Sequence, residues 1–146
     1  MANDNYQQRG DRNFQNRRGN RSPERDWVKD FETKWITEGF DKNTVKYTDD
    51  FGKFLQSNRL TTSQIRNTYG ELKRIQMKGF EKEKTAFYLL KPKMAYAVAR
   101  DGKEGQKKLG KVFNKAFDNV ENSDHYNNLM DFMEAVLAYH KSYGGK

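Results

Sequence analysis

The chain has 146 residues, no cysteine, and 28 Lys and Arg against 20 Asp and Glu, a formal charge of +8. That length fits one domain, and the missing cysteines exclude a disulfide-stapled scaffold, thiolate zinc sites and a cysteine nucleophile. No apolar run approaches the ~20 residues of a membrane-spanning helix, and the amino end shows no signal-peptide core. The expectation is a soluble, cytoplasmic, basic protein with no membrane partner. Apolar residues are sparse, yet 20 are Phe, Tyr or Trp, and each aromatic side chain brings a large buried area to a core.

In chain order, residues 1–22 come first. The cations of the first 25 residues are all arginine (Arg9, Arg12, Arg17, Arg18, Arg21, Arg25), set among Asn, Gln and Gly, with only Met1, Ala2, Tyr6 and Phe14 apolar. Such a segment cannot bury enough surface to offset its ordering entropy, so 1–22 is expected to be a disordered arm and 23–143 the folded domain. Ser22-Pro23-Glu24 reads as a helix start, followed by Trp27, Val28, Phe31, Trp35 and Ile36 at helical spacing up to Gly39. Val45, Phe51, Phe54 and Leu55 suggest a second helix, with Thr48 as one possible start. Asp49 and Asp50 would then be first-turn acids that complement the helix dipole. Thr61 and Gln64 form a capping-box pair for a third helix, with Ile65, Tyr69, Leu72 and Ile75 apolar and Gly79 as its stop.

Residues 81–90 read as a fourth helix, with a fresh start or kink at Pro92 and a continuation through 100 to the Asp101-Gly102 break. Leu109, Val112, Phe113, Ala116, Phe117 and Val120 follow helical spacing, as do Tyr126, Leu129, Met130, Met133, Val136 and Leu137 after Ser123 as cap. No segment shows sustained strand alternation. The fold expected is all-α, a compact single-domain bundle of five to seven helices.

Nothing in this pattern points to catalysis, a cofactor or a metal. No phosphate-loop, nucleophile-elbow or metal-binding His-Glu sequence occurs, and His125 and His140 read as surface or capping residues. Charge is the informative feature. Residues 1–25 carry +3, 26–58 carry −2, 59–115 carry +10 and 116–146 carry −3. On the third helix, at ~100° per residue, Lys73, Arg66, Gly70 and Arg74 fall on one side, away from Leu72 and Ile75. A glycine between cations either lets a phosphate backbone come close or admits a neighbouring helix. Lys91 and Lys93 flank the expected helix start at Pro92, where free amides favour anions. Lys93, Ala97 and Arg100 share one face, and Tyr96 beside them can stack or pack. The run Lys103, Lys107, Lys108, Lys111 and Lys115 reads as a solvated edge of the best amphipathic helix.

Leu60-Thr-Thr-Ser-Gln-Ile-Arg-Asn67, continued by Tyr69-Gly-Glu-Leu-Lys-Arg-Ile75, and then Leu89-Leu-Lys-Pro-Lys-Met-Ala-Tyr96 through Arg100, resemble the small subunit of type III-A (Csm) CRISPR effector complexes. The resemblance runs from about Leu60 to Tyr139; the arm and the Trp27/Trp35 helix lie outside it. It implies an all-α, non-catalytic subunit lying beside the duplex of CRISPR RNA and target RNA. Its protein partners would be the backbone subunits, the large polymerase-like subunit and further copies of itself along the filament. On the matching positions it makes Arg66, Lys73, Arg74, Lys91, Lys93 and Arg100 the candidate RNA contacts, with Thr61, Gln64 and Ile65 placing Arg66. A stand-alone nucleic-acid chaperone or nucleoid-type protein, binding through its arginine arm, is the alternative from another class, and an RNA-processing enzyme a third.

Overall fold

The computed structural model describes residues 25–146, which form seven helices: α1 Trp27–Asp30, α2 Lys34–Thr37, α3 Lys42–Ser57, α4 Thr62–Lys78, α5 Lys84–Asp101, α6 Glu104–Phe117 and α7 Ser123–Ser142. No strand occurs among the described residues. The arm 1–22 and the Ser22-Pro23-Glu24 start lie outside them.

The carboxy-terminal helix α7 is the axis. It packs against α2, α3 and α4, while α6 supports α1, α3 and α5. Its apolar positions Leu129, Met130, Met133 and Val136 are buried as the periodicity predicts, together with Phe132. At the α3–α7 crossing the helices come so close that a Cβ on Gly52 would lie 2.6 Å from the Tyr139 Cβ and 2.8 Å from the His140 amide nitrogen. Side-chain hydrogen bonds fix the neighbours. The Tyr126 hydroxyl donates to the Leu72 carbonyl at 2.5 Å, and Asn128 donates to that of Ile36 at 2.8 Å.

The predicted first helix is broken. Asp26 caps α1 through the Lys29 amide, but Phe31 is extended (φ −68°, ψ 125°) and the chain restarts at α2. Two interactions outweigh the helical spacing. Trp27, Phe31 and Trp35 all join one aromatic cluster with Tyr47, Phe51, Phe54 and Phe132. The Val28 and Phe31 carbonyls that a longer helix would have engaged instead accept hydrogen bonds from the Lys115 ammonium of α6, at 2.6 and 2.8 Å. Lys115 is therefore a structural clamp and not part of a solvated edge. Arg25 adds a second tie, pairing with Asp30 at 3.0 Å and Asp50 at 2.9 Å while its guanidinium lies 4.3 Å from the Trp27 ring centroid.

Five further expectations are corrected. Helix α3 starts at Lys42, because Asp41 and Thr44 form a reciprocal capping box. Asp49 and Asp50 thus sit mid-helix, where the Tyr143 hydroxyl donates to Asp49 and Arg25 and Lys46 pair with Asp50. The fresh start at Pro92 does not occur: α5 runs through it as one element to Gly102, which ends it in the left-handed conformation (φ 69°). Pro92 removes only the N–H that would bond the Tyr88 carbonyl. Both residues are exposed, so water reaches the freed carbonyl, while Phe87, Leu90 and Met94 hold both halves on one core. The cap of α7 is Asn122, whose side chain accepts from the His125 amide, and Ser123 is the first helical residue. His140 is fully buried, its Nε2 2.5 Å from the Leu60 carbonyl.

Candidate nucleic-acid interface

The α4 register is set from both ends and from beneath. The Gln64 amide donates to the Thr61 hydroxyl at 3.2 Å and the Thr61 amide to Gln64 Oε1 at 2.9 Å, the reciprocal box its sequence predicts. Gln64 Nε2 then donates to Asp101 at the end of α5, at 2.8 Å. Ile65, Leu72 and Ile75 are wholly buried, which fixes the rotation of the helix and turns Arg66, Gly70, Lys73 and Arg74 to solvent. A Cβ on Gly70 would meet nothing within 4 Å. No neighbouring helix covers this glycine, so it is a gap in an exposed cationic face.

The six predicted cations do not form one patch. Arg66 and Lys73 lie on the flank of α4 nearer α7, where Lys73 donates to Gln76 at 3.2 Å and Gln76 in turn to Asn127. Arg74 and Lys93 converge from two helices on Glu71, at 2.9 and 3.5 Å. The Arg74 hydrogen bond, aided by the charges of Arg74 and Lys93, holds Glu71 below the ordinary carboxylate range; the same bond raises Arg74. Lys91 stands on the opposite flank of α5 and pairs with Asp118 at 2.5 Å. Because Pro92 is inside a helix, neither Lys91 nor Lys93 stands at free amides. Among the described residues, Arg66, Lys73 and Arg100 make no ion pair with a carboxylate.

Between α4 and α5 lies a groove of about 570 Å³. Leu90, Met94 and Ala97 form its apolar surface, with Asn67, Thr68 and Glu71 on the α4 side and Lys93, Tyr96 and Arg100 on the α5 side. The buried Gln106 of α6 closes it. Tyr96 is 68% exposed, so it does not pack into the core. Sequence reasoning missed Asn67, Thr68 and Gln106, which carry no charge or motif to mark them. It also missed that α5 turns Tyr88, Leu89 and Pro92 outward beside Tyr96. A signal for that existed, since apolar residues surround α5 on every side.

Among the described residues no cluster of three or more His, Asp or Glu could hold a metal ion, and no helix is long and apolar enough to cross a membrane. His125 sits at the α7 start, its ring accepting from the Glu121 amide at 3.2 Å. The family model described as Csm2 Type III-A matches residues 40–146, most of the chain. Its range takes in α3 to α7 and leaves out α1 and α2. No curated protein and no solved structure matches the chain.

Proposed function

Because the chain belongs to the Csm2 Type III-A family, and so is a small subunit of the type III-A CRISPR complex, we propose that it is a non-catalytic subunit that holds RNA by its phosphate backbone. The observation that carries this reading is the open α4 face, where Arg66, Lys73 and Arg74 surround an uncovered Gly70. Exposed cations around a missing side chain, two of them (Arg66 and Lys73) without a carboxylate partner, let a phosphate strand approach the helix backbone, and contacts of this kind position a nucleic acid without reading its sequence. Sequence choice then falls to pairing between CRISPR RNA and target RNA, and the subunit lies along that duplex. Lys93 and Arg100 extend the cationic edge across the groove, and Lys91 adds to the field on the far flank of α5. The acidic outer positions of α7, Asp124, Asp131 and Glu134, are free to face protein neighbours: the backbone subunits, the large polymerase-like subunit, or the next copy. The complex works in the cytoplasm.

The test is Arg66→Ala with Lys73→Ala in the assembled complex. Target-RNA affinity falls, and the slope of log K against log salt flattens by roughly 1.5, since each phosphate contact adds ~0.7 to 0.9. Helical content and melting stay unchanged, because both side chains are exposed. An unchanged salt slope removes α4 from the interface.

A further inference from the structure

The groove between α4 and α5 differs in kind from the cationic face beside it. Its charges balance: Lys93 and Arg100 stand against Glu71 and Asp101, so it does not select for phosphate. Its volume falls within the range of pockets that bury small organic ligands, about 300–1,000 Å³. The lining combines an apolar floor, an uncovered aromatic ring and neutral hydrogen-bonding groups. At the closed end Gln106 is 2% exposed and its Oε1 has no hydrogen-bond partner; its Nε2 has only the Met94 thioether, at 3.6 Å. A buried amide left so poorly satisfied is costly, and the cost is recovered when the side chain turns its amide toward a ligand edge in the groove.

We propose that this groove is a nucleobase site that takes one unpaired base of a bound RNA strand. The ring stacks on Tyr96 and lies over Met94 and Ala97, its polar edge meets Asn67 and Gln106, and its phosphates pass Lys93 and Arg100 at the rim. Stacking on an aromatic side chain is tolerant of base identity, whereas the amides distinguish a base from an abasic sugar. The inference deepens the RNA reading above and rests on it for the strand, though not for the chemistry of the groove.

Two measurements on the full chain test it. In the first, the isotope-labelled protein is titrated with the four nucleoside monophosphates and, separately, with ribose 5-phosphate, following the side-chain amide signals of Asn67 and Gln106. The nucleotides shift these signals, ribose 5-phosphate does not, and Ala97→Leu, which fills a half-exposed helical position, abolishes the response. In the second, an RNA duplex with a single-base bulge is compared with the same duplex carrying an abasic bulge. The base-bearing bulge binds about tenfold more tightly, and this preference disappears in Tyr96→Ala and Ala97→Leu. Arg66→Ala weakens both duplexes alike, and a failure of the phosphate-contact reading leaves the nucleotide shifts in place. Nucleotide shifts without a bulge preference overturn the proposal in favour of a free-nucleotide site. The proposal is overturned if ribose 5-phosphate shifts the amides as strongly as the nucleotides do, or if Ala97→Leu keeps the bulge preference. It is equally overturned if no base response exists and Ala97→Leu instead releases the subunit from the complex, which would make the groove a protein-docking surface.

Discussion

Lys115→Met offers a sharp test of how the amino-terminal helices are held. The Lys115 ammonium donates to the Val28 and Phe31 carbonyls at 2.6 and 2.8 Å, and it lies 5.9 Å from the Phe31 ring centroid. A hydrogen bond with one charged partner contributes about 1.5–3 kcal/mol. Methionine keeps most of the alkyl packing but leaves both carbonyls without that donor. Water can reach part of this half-buried site, so the two bonds together are worth about 2–4 kcal/mol. The loss falls first on α1 and α2, because those carbonyls mark the break between them. The two tryptophans of the chain, Trp27 and Trp35, both lie in this segment and are buried at 6% and 3% exposure. Tryptophan emission therefore reports its docking, while far-UV circular dichroism is dominated by α3 to α7. In a urea titration the emission transition of Lys115→Met moves to lower denaturant and precedes the dichroism transition; Lys115→Arg, which keeps a cationic donor, moves it less. Coincident transitions with an unfolding free energy within about 0.5 kcal/mol of the native protein's would refute the clamp.

Two glycines on the helix surfaces respond in opposite directions to alanine. Gly52→Ala places a methyl against the α7 backbone and costs about 2 kcal/mol, the overpacking loss less the gain in helix propensity. Gly70→Ala meets only open space and gains about 0.5–1 kcal/mol; chemical denaturation reads both, and equal effects contradict the packing argument. Partial desolvation on the α7 surface, with Glu134 close by, raises the Asp131 carboxyl above its ordinary value. Its contribution is complete below about pH 4 and is lost as pH rises through the raised value. Asp131→Asn therefore stabilises at pH 7 and matches the native protein at pH 3, and a gain of the same size at both values speaks against the cause assigned.

Where one local rule decided the outcome, the sequence was legible. The Thr61–Gln64 box, the Gly79 and Gly102 stops and the apolar spacing of α6 and α7 are all found in the structure, because each depends on neighbours within a turn or two. The Asp41 and Asn122 caps were equally local and were missed; long-range partners explain other failures. The break at Phe31 needs Lys115, 84 residues away, and an aromatic cluster drawn from several helices. The burial of His140 needs the Leu60 carbonyl, 80 residues away. Proline was read as an interruption because its missing N–H is costly in a buried helix interior; here that position faces water. Among the site residues, the charges were visible but their partners were not. Glu71 sits between Arg74 and Lys93 only once α4 and α5 lie side by side, and the groove between them has no signature in either helix alone.

That pairing bears on how the subunit would hold RNA under the reading proposed. The central block carries +10, yet Arg74 and Lys93 share Glu71, Lys91 has Asp118, Lys84 has Glu81 and Lys108 has Glu104. Lys115 is committed to backbone carbonyls. The exposed pairs are weak and can yield to a phosphate, but each exchange returns little, since a solvated ion pair is worth at most about 1 kcal/mol and so is its replacement. Arg66, Lys73 and Arg100 are the candidate cations with no carboxylate to give up. Three phosphate contacts support only loose, salt-sensitive binding by one copy. Firm retention of a target then requires either several copies acting along one strand, where each added contact becomes intramolecular, or a contact that salt does not screen. A base seated in the neutral groove beside α4, as proposed above, would be a contact of the second kind. A binding curve whose salt dependence flattens to a finite residual affinity at high salt, and loses that residue when the groove is filled, separates the two contributions within a single protein.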